Sequence, residues 1–263
     1  MRVVCLLYHD VVEGSDWESS GFSGPGTAKY KLNRADFEEH VAAIAKEQKT
    51  PPGLAHELSH KSDDELRFLV TFDDGGESAA TRVAAILGRY GWRGHFFVTA
   101  GQIGSPAFMN KEQIRSLRRA GHVIGSHSFS HPTRMSHCSK GQLLDEWTRS
   151  VHALSEILGE AVDTASVPGG YYSDRVAETA AASGIRVLFN SEPTTAIQAV
   201  GGCLVVGRYN IFQGMSPRVS GELVSVRSGA RSKQWLYWNF KKVVKKSAGR
   251  PYLAMRQWLL REG

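Results

Sequence analysis

ELRFLVTFDDGGESAATRVAAILGRYGWRGHFFVTA, residues 65–100, decides how the chain must fold. Leu66–Phe72 is an apolar run rich in strand-forming residues, and it stops at Asp73-Asp74-Gly75. ESAATRVAAILGRYG (77–91) carries apolar residues at helical spacing and closes on a glycine, as helix C-termini often do. RGHFFVTA (93–100) is a second apolar run. A helix that links two such runs makes a strand–helix–strand unit.

The unit recurs along the chain. Further strands are predicted at RVVCLLYH (2–9), HVIGSH (122–127), TASVPG (164–169), GIRVLFN (184–190) and GCLVVGR (202–208). Helices are predicted at RADFEEHVAAIAKEQ (34–48), NKEQIRSLRRAG (110–121), SKGQLLDEWTRSVHALSEILG (139–159) and DRVAETAAASG (174–184). The alternation predicts an α/β fold whose parallel sheet curls into a distorted (β/α) barrel. Segments 12–33 and 50–64, rich in Gly, Ser, Pro or charge, read as surface loops.

Composition narrows the class. With 263 residues and 41% hydrophobic content the chain can bury a substantial core. No stretch reaches the roughly 20 apolar residues of a membrane span. MRVVCLLYHDVV lacks a small-residue cleavage site after it and reads as a first strand rather than a secretory signal. Cys5, Cys138 and Cys203 are odd in number and far apart, which fits a reducing compartment and a cytoplasmic address.

Charge divides the chain in two. Residues 208–263 hold 12 Lys/Arg against 2 acids, a net of +10, whereas residues 1–207 carry a net of −4. The expected organisation is a barrel over 1–210 and a basic, aromatic-rich helical extension over 211–263. In KQWLYWNFKKVVKKSAGR (233–250), aromatic residues stand beside lysines. Residues 232–247 read either as an interfacial helix on an anionic membrane, at its inner face, or as a helix packed on the barrel with lysines in water. The packed reading is the favoured one. No nucleic-acid reader motif is present, so no nucleic-acid partner is expected.

Reactive groups of such folds collect at the C-terminal ends of the strands. Those ends are Tyr8-His9-Asp10, Phe72-Asp73-Asp74-Gly75, Gly125-Ser126-His127, Val167-Pro168-Gly169 and Phe189-Asn190-Ser191-Glu192. In HSFSHP, His127 and His131 stand four apart and would share one face of a helical turn. Two imidazoles and one carboxylate suit Zn²⁺ first, with Co²⁺ or Fe²⁺ as alternatives, and leave positions for water. The neighbouring carboxylate is then free to act on that water.

These residues resemble the polysaccharide deacetylases, the NodB-homology esterases that remove acetyl groups from sugars. TFDDG (71–75) matches the family's first motif and HSFSHP (127–132) its second. The resemblance extends over about residues 1–210. It implies a NodB-type barrel, Asp73 as general base, and Asp74, His127 and His131 as metal ligands. The third motif normally reads Arg-x-Pro and an aromatic; here Ser166-Val167-Pro168-Gly169-Gly170-Tyr171 lacks the Arg. The backbone N–H of Gly169 can still serve the oxyanion, because a main-chain donor needs no particular side chain. Arg208 is the candidate to replace the missing Arg, and it is grouped with Tyr171 and Tyr172 as residues facing the sugar. FNSEP (189–193) stands where the fourth motif belongs, with Glu192 as its acid.

The fifth motif, Leu-x-His on the last strand, supplies the family's general acid. No Leu-x-His follows residue 131, but Leu7-Tyr8-His9 is one, on the first strand. In a closed barrel first and last strands are neighbours, so a circular permutation moves a strand in sequence and not in space. Exopolysaccharide-associated members resemble this arrangement. On this reading His9 is the acid, and Asp10 supports it or the ion. His95 and His122 read as structural, and Cys5 and Cys203 as buried small hydrophobes.

The resemblance implies a metal-dependent hydrolase that removes acetyl groups from an N-acetylated sugar of a surface or exopolysaccharide. A deformylase or other non-peptide amide hydrolase, acting on a lipid-linked sugar or small metabolite, is the alternative enzyme. A catalytically silent sugar-binding domain is the alternative outside enzymes. The intact Asp73, Asp74, His127 and His131 speak against silence; the missing Arg speaks mildly for it.

Overall fold

The computed structural model describes residues 2–59, 66–226 and 228–247. Its strands are β1 (Arg2–Tyr8), β2 (Val11–Val12), β3 (Leu32–Asn33), β4 (Leu66–Phe72), β5 (His95–Val98) and β6 (Val123–Ser126). They continue with β7 (Thr164–Ser166), β8 (Val187–Phe189), β9 (Ile197–Val200), β10 (Cys203–Val206) and β11 (Tyr209–Asn210). Its helices are α1 (Pro25–Ala28), α2 (Arg34–Glu47), α3 (Ala84–Gly88), α4 (Lys111–Arg119), α5 (Lys140–Leu158), α6 (Asp174–Ala182), α7 (Pro217–Val224) and α8 (Gly229–Ser247). The sequence signals act where expected. Asn110 with Gln113, and Ser139 with Gln142, form reciprocal capping boxes at α4 and α5, and Gly159 ends α5 at φ 71°.

Nine strands form one curled sheet in the order β11-β1-β4-β5-β6-β7-β8-β10-β9. Every pairing in it is parallel except β9 with β10. That antiparallel edge departs from the all-parallel expectation, and Gly201-Gly202 explains it. Both adopt positive φ (57° and 91°), the conformation a tight two-residue hairpin demands. The curl nearly closes on itself, because Val3 N–H donates to Thr195 O at 3.0 Å and Arg2 bridges Ala196. First and last strands lie side by side, with Leu6 opposite Tyr209 and Leu7 opposite Asn210.

Period-2 alternation sorts the strand residues onto two faces. Val4, Leu6, Phe68, Val70 and Phe72 point outward into the large core beneath the helices. Val3, Cys5, Leu69, Phe97, Phe189 and Val206 point into the barrel. Leu69, Thr71 and Asp73 therefore climb one inner face of β4, from apolar floor to polar mouth. The helical stretch after Asp73-Asp74 opens with a π-helical turn, Ala79–Val83, before α3. Wide turns of this kind are frequent beside functional sites.

Two surface-loop expectations hold only in part, since most described residues of 12–33 and 50–64 are exposed or half-buried but some are anchored inside. Ala55 and Leu58, in the 3-10 turn Ala55–Ser59, are buried in the inner core. In segment 12–33, Ser20 and Lys31 are buried and tie the loop down. Lys31 Nζ donates to Ser20 O (2.7 Å) and Trp17 O (2.5 Å). Ser20 Oγ donates to Asp10 Oδ1 at 2.6 Å and accepts Ser78 N–H at 2.9 Å. Ser78 Oγ donates to the same Asp10 oxygen at 2.8 Å, and a Cβ at Gly76 would stand 1.9 Å from it.

Burial pushes the Asp10 carboxyl up to about 6, against the pull of the Ser20 hydroxyl. An acid whose pKa rises on folding stabilises the fold while protonated. That contribution is complete below the ordinary value of 3.8 and is lost as pH rises through about 6. Asp10→Asn keeps the accepting oxygen and removes the charge. Urea midpoints measured from about pH 4 to about pH 7 should therefore fall less steeply in the variant. Equal slopes would place the pH dependence in another group.

Candidate active site

Asp73 and Asp74 leave β4 at the mouth of the barrel, where Asp73 N–H donates to Tyr8 O at 3.1 Å. His127 follows β6, and its N–H donates to Val98 O at 2.8 Å. Oδ1 of Asp74 lies 3.4 Å from His127 Nε2 and 3.5 Å from His131 Nε2. One ligand atom from each of these residues falls within 4.8 Å of the others. Among the described residues this is the cluster of His, Cys, Asp and Glu able to hold an ion.

No helix spans 127–131, contrary to the helical-turn expectation. The histidines converge because the chain between them turns back, with Ser128 at φ 62° and His131 at φ 59°. Asp74 is also left-handed, at φ 77°. Such backbone costs of order 1–3 kcal/mol per residue and persists only where its surroundings hold it. Glu146 of α5 supplies much of that hold. Its carboxylate accepts Phe129 N–H (2.9 Å), Ser130 N–H (2.8 Å) and Ser130 Oγ–H (2.5 Å).

The donor set fits a divalent cation: two imidazole nitrogens and one carboxylate oxygen, with water free to complete the shell. Ser166 Oγ sits 2.6 Å from His127 Nδ1 and donates to Asp73 Oδ1 at 3.0 Å. Ser166 Oγ can accept the His127 Nδ1 proton and so leave Nε2 able to bind an ion, the tautomer a metal ligand requires; with both ring nitrogens protonated, Nε2 donates to Asp74 instead. Burial alone would raise the Asp74 carboxyl, but hydrogen bonds from His127 and His131 hold it well below the ordinary 3.8. Burial alone would lower His131, and the Asp74 carboxylate raises it instead.

Asp73 is fixed from the opposite side. Arg208, fully buried, places Nη1 at 2.7 Å from Oδ1 and Nη2 at 2.8 Å from Oδ2. Nε of the same guanidinium donates to Asn190 O at 2.9 Å. Arg208 therefore does not face the sugar, as its grouping with Tyr171 and Tyr172 expected. It is the cation on the carboxylate. Burial would raise the Asp73 carboxyl, and Arg208 and His127 together keep it below the ordinary 3.8.

His9 follows β1, and its ring centre lies 5.0 Å from that of Tyr30 at a tilt of 38°; Tyr30 lies 5.4 Å from Phe212. Burial lowers its pKa, while the charges of Asp74 and Asp73 oppose that shift, so the imidazole stands within electrostatic reach of both carboxylates. Asp10 does not support His9 or the ion: one oxygen serves Ser20 and Ser78, and neither bonds the His9 ring. The backbone carbonyl of Glu192 accepts Arg208 N–H at 3.0 Å, and Glu192 is not part of the Asp74, His127 and His131 cluster. Pro168–Gly170 form one turn after β7, with Gly169 at φ 61°. Tyr171 lies beside that turn, with Arg134 5.6 Å from its ring centre. Tyr172 instead packs on the core beneath α5 and α6 and donates its hydroxyl to Asp174 at 3.3 Å.

His95 and His122 are structural as expected, accepting Ala55 N–H and Gly94 N–H, with burial holding both at about 4. Sequence reading missed Ser166 as a working residue, Glu146 as the brace and Phe22 as a neighbour of His131 at 4.7 Å. Phe22 also meets Phe108 at 5.0 Å. Trp238 of α8 also reaches the site, since a Cβ at Gly170 would lie 3.8 Å from its ring.

The model of the family described as polysaccharide deacetylase matches residues 60–188. YxkH of Bacillus subtilis is 22% identical over 227 residues, covering 85% of this chain and 76% of that one. The peptidoglycan-N-acetylglucosamine deacetylase PgdA of Listeria monocytogenes is 27% identical over 155 residues, 59% of this chain and 31% of PgdA. Among solved structures, Streptococcus pyogenes deacetylase PplD in complex with acetate superposes with a TM-score of 0.68 at 21% identity, covering 82% of this chain and 95% of that one. IcaB from Ammonifex degensii gives 0.67 at 21% identity, covering 85% and 97%. At these identities the likeness to the solved structures is one of fold.

Arg208→Met should leave Asp73 buried without its counter-charge, at a cost of about 3–5 kcal/mol. A carboxyl depressed on folding stabilises the protein above its ordinary pKa, here 3.8, and less as pH falls below it. The gap in urea midpoint between wild type and variant should therefore be widest near neutrality and shrink in acid. A gap independent of pH would mean that Arg208 serves packing alone.

Proposed function

We propose that this chain, a member of the polysaccharide deacetylase family and so a hydrolase of carbon–nitrogen bonds other than peptide bonds, removes acetyl groups from an N-acetylated surface or exopolysaccharide with the help of a bound divalent metal. One observation carries the reading. Asp73, gripped by Arg208 and Ser166, lies with Oδ2 3.9 Å from the Nε2 of His127, so a fixed carboxylate faces the ligand trio. Asp74, His127 and His131 would hold the ion, Zn²⁺ before Co²⁺ or Fe²⁺ on donor type.

When bound, such an ion supplies Lewis acidity and makes water a nucleophile near neutral pH. The remaining work falls to the chain. Asp73 takes the proton of the attacking water, and its grip by Arg208 keeps it ionised for that purpose. The Gly169 N–H donates to the oxyanion that forms on the acetyl carbonyl. His9 gives a proton to the departing sugar nitrogen, because an amine leaves poorly as an anion. Tyr171, beside Gly169, offers an aromatic face on which a sugar ring can lie.

Acetate release from N-acetylated oligosaccharides should disappear with a chelator and return with Zn²⁺. Asp74→Ala, His127→Ala and His131→Ala should each lower bound metal and turnover together, whereas Asp73→Asn should keep the metal and lose turnover. Near-normal turnover in Asp73→Asn would refute its role as base. Formate release in preference to acetate would favour the deformylase reading.

His9→Ala should keep its metal and lose the alkaline limb of the rate profile. Amide substrates should slow far more than activated esters, whose leaving groups need no proton. Equal slowing of both substrate types would move the acid elsewhere.

A further inference from the structure

Helix α8 divides its residues sharply. Arg231 Nη1 donates to Leu223 O and Ser225 O and its Nη2 to Val226 O, Gln234 Nε2 donates to Asn210 O at 3.0 Å, and Ala230 is buried. Trp238 turns toward Gly170. The helix is thus docked, yet Trp235 (54% exposed), Leu236 (65%), Tyr237 (58%) and Phe240 (66%) remain in solvent. Large apolar side chains clustered in solvent mark a surface that meets something.

Charge indicates what that something is. Residues 229–247 contain Lys233, Lys241, Lys242, Lys245, Lys246 and the internally bonded Arg231, and no acid. A second copy would bring the same positive helix against itself. The chain's own residues 248–263 add Arg250, Arg256 and Arg261 against Glu262 alone, so they carry the same sign. An anionic lipid surface matches both features, since aromatic residues settle at the headgroup level and lysines meet its charge. No helix among the described residues is long and apolar enough to cross a membrane, so the contact lies in the plane of the surface.

We propose that α8 seats the protein on an anionic bilayer surface through Trp235, Leu236, Tyr237 and Phe240, in a stretch of sequence whose charge is wholly positive. Trp238, on the docked side of the same helix, comes close to Gly170, so α8 lies between the exposed apolar residues and the turn that carries Gly169 and Gly170. The proposal does not depend on the deacetylase reading, because its readout is binding rather than turnover.

The test is co-sedimentation of the full chain with vesicles of phosphatidylcholine alone, or with about one third phosphatidylglycerol. Wild type should sediment with the anionic vesicles only and leave them at about 0.5 M NaCl, where screening is strong. Leu236→Glu with Phe240→Glu, both at exposed positions, should weaken binding about tenfold or more while the circular dichroism spectrum is unchanged. Changing Lys241, Lys242, Lys245 and Lys246 to Gln should do the same. Equal recovery on both vesicle types, or equal binding by the Glu pair and wild type, would overturn the proposal. A dimer seen by light scattering that the Glu pair splits, without any anionic preference, would assign the face to a second copy. Vesicle binding that appears only after residues 248–263 are removed would assign it to the chain's own tail.

Discussion

A guanidinium and a carboxylate locked together inside a barrel constrain everything around them. Arg208 comes from the junction of β10 and β11, Asp73 from the end of β4, and they meet through two parallel hydrogen bonds with no solvent to soften the contact. Charges taken out of water are costly unless paired in good geometry, so neither can move without the other. Thr71 below, Asn190 O beside and Ser166 across the barrel all hold one member of the pair. Close approach of backbone at Gly207, where a Cβ would lie 2.2 Å from Glu192 O, brings the arginine into place.

The side that carries Asp74, His127 and His131 is built differently. There the backbone carries much of the load, through left-handed turns at Asp74, Ser128 and His131. These conformations are unfavourable for residues with a Cβ. Glu146, reaching from α5 to two N–H groups and a hydroxyl of the intervening loop, stabilises the turn that aims His131 at Asp74. Ser166 joins the two halves, with one hydroxyl between the His127 imidazole and the Asp73 carboxylate.

Much of this was legible in the sequence where local rules apply. Strands and helices declared themselves through apolar period and through caps such as Asn110, Ser139 and Gly159. Asp73, Asp74, His127 and His131 stood out because reactive residues crowded the strand ends. Roles that depend on distance through space were harder to read. Glu146 resembles any acid on an amphipathic helix, and only the fold brings it under the loop after β6. Ser166 seemed merely a lost arginine; its hydroxyl matters because His127 and Asp73 approach it from two other strands. Asp10 next to His9 invited a partnership, yet adjacent residues point apart, and Asp10 turned to Ser20 and Ser78 instead. Lys31 and Ser20 lay in a segment whose composition reads as exposed, because burial of a lysine needs backbone carbonyls that no local pattern reveals.

The barrel's seam is uneven. β1 pairs with β4 along seven residues but with β11 along only two, and the far edge adds one bridge at Arg2 and one hydrogen bond at Val3. Opening of a protein follows its weakest contacts first. His9 and Arg208 flank that seam, whereas Asp74, His127 and His131 rise from strands in the middle of the sheet. A partial opening would therefore draw Arg208 away from Asp73 while β1 stays on β4 and Asp74, His127 and His131 stay assembled, so warming should first strand a carboxylate without its counter-charge inside an otherwise intact barrel.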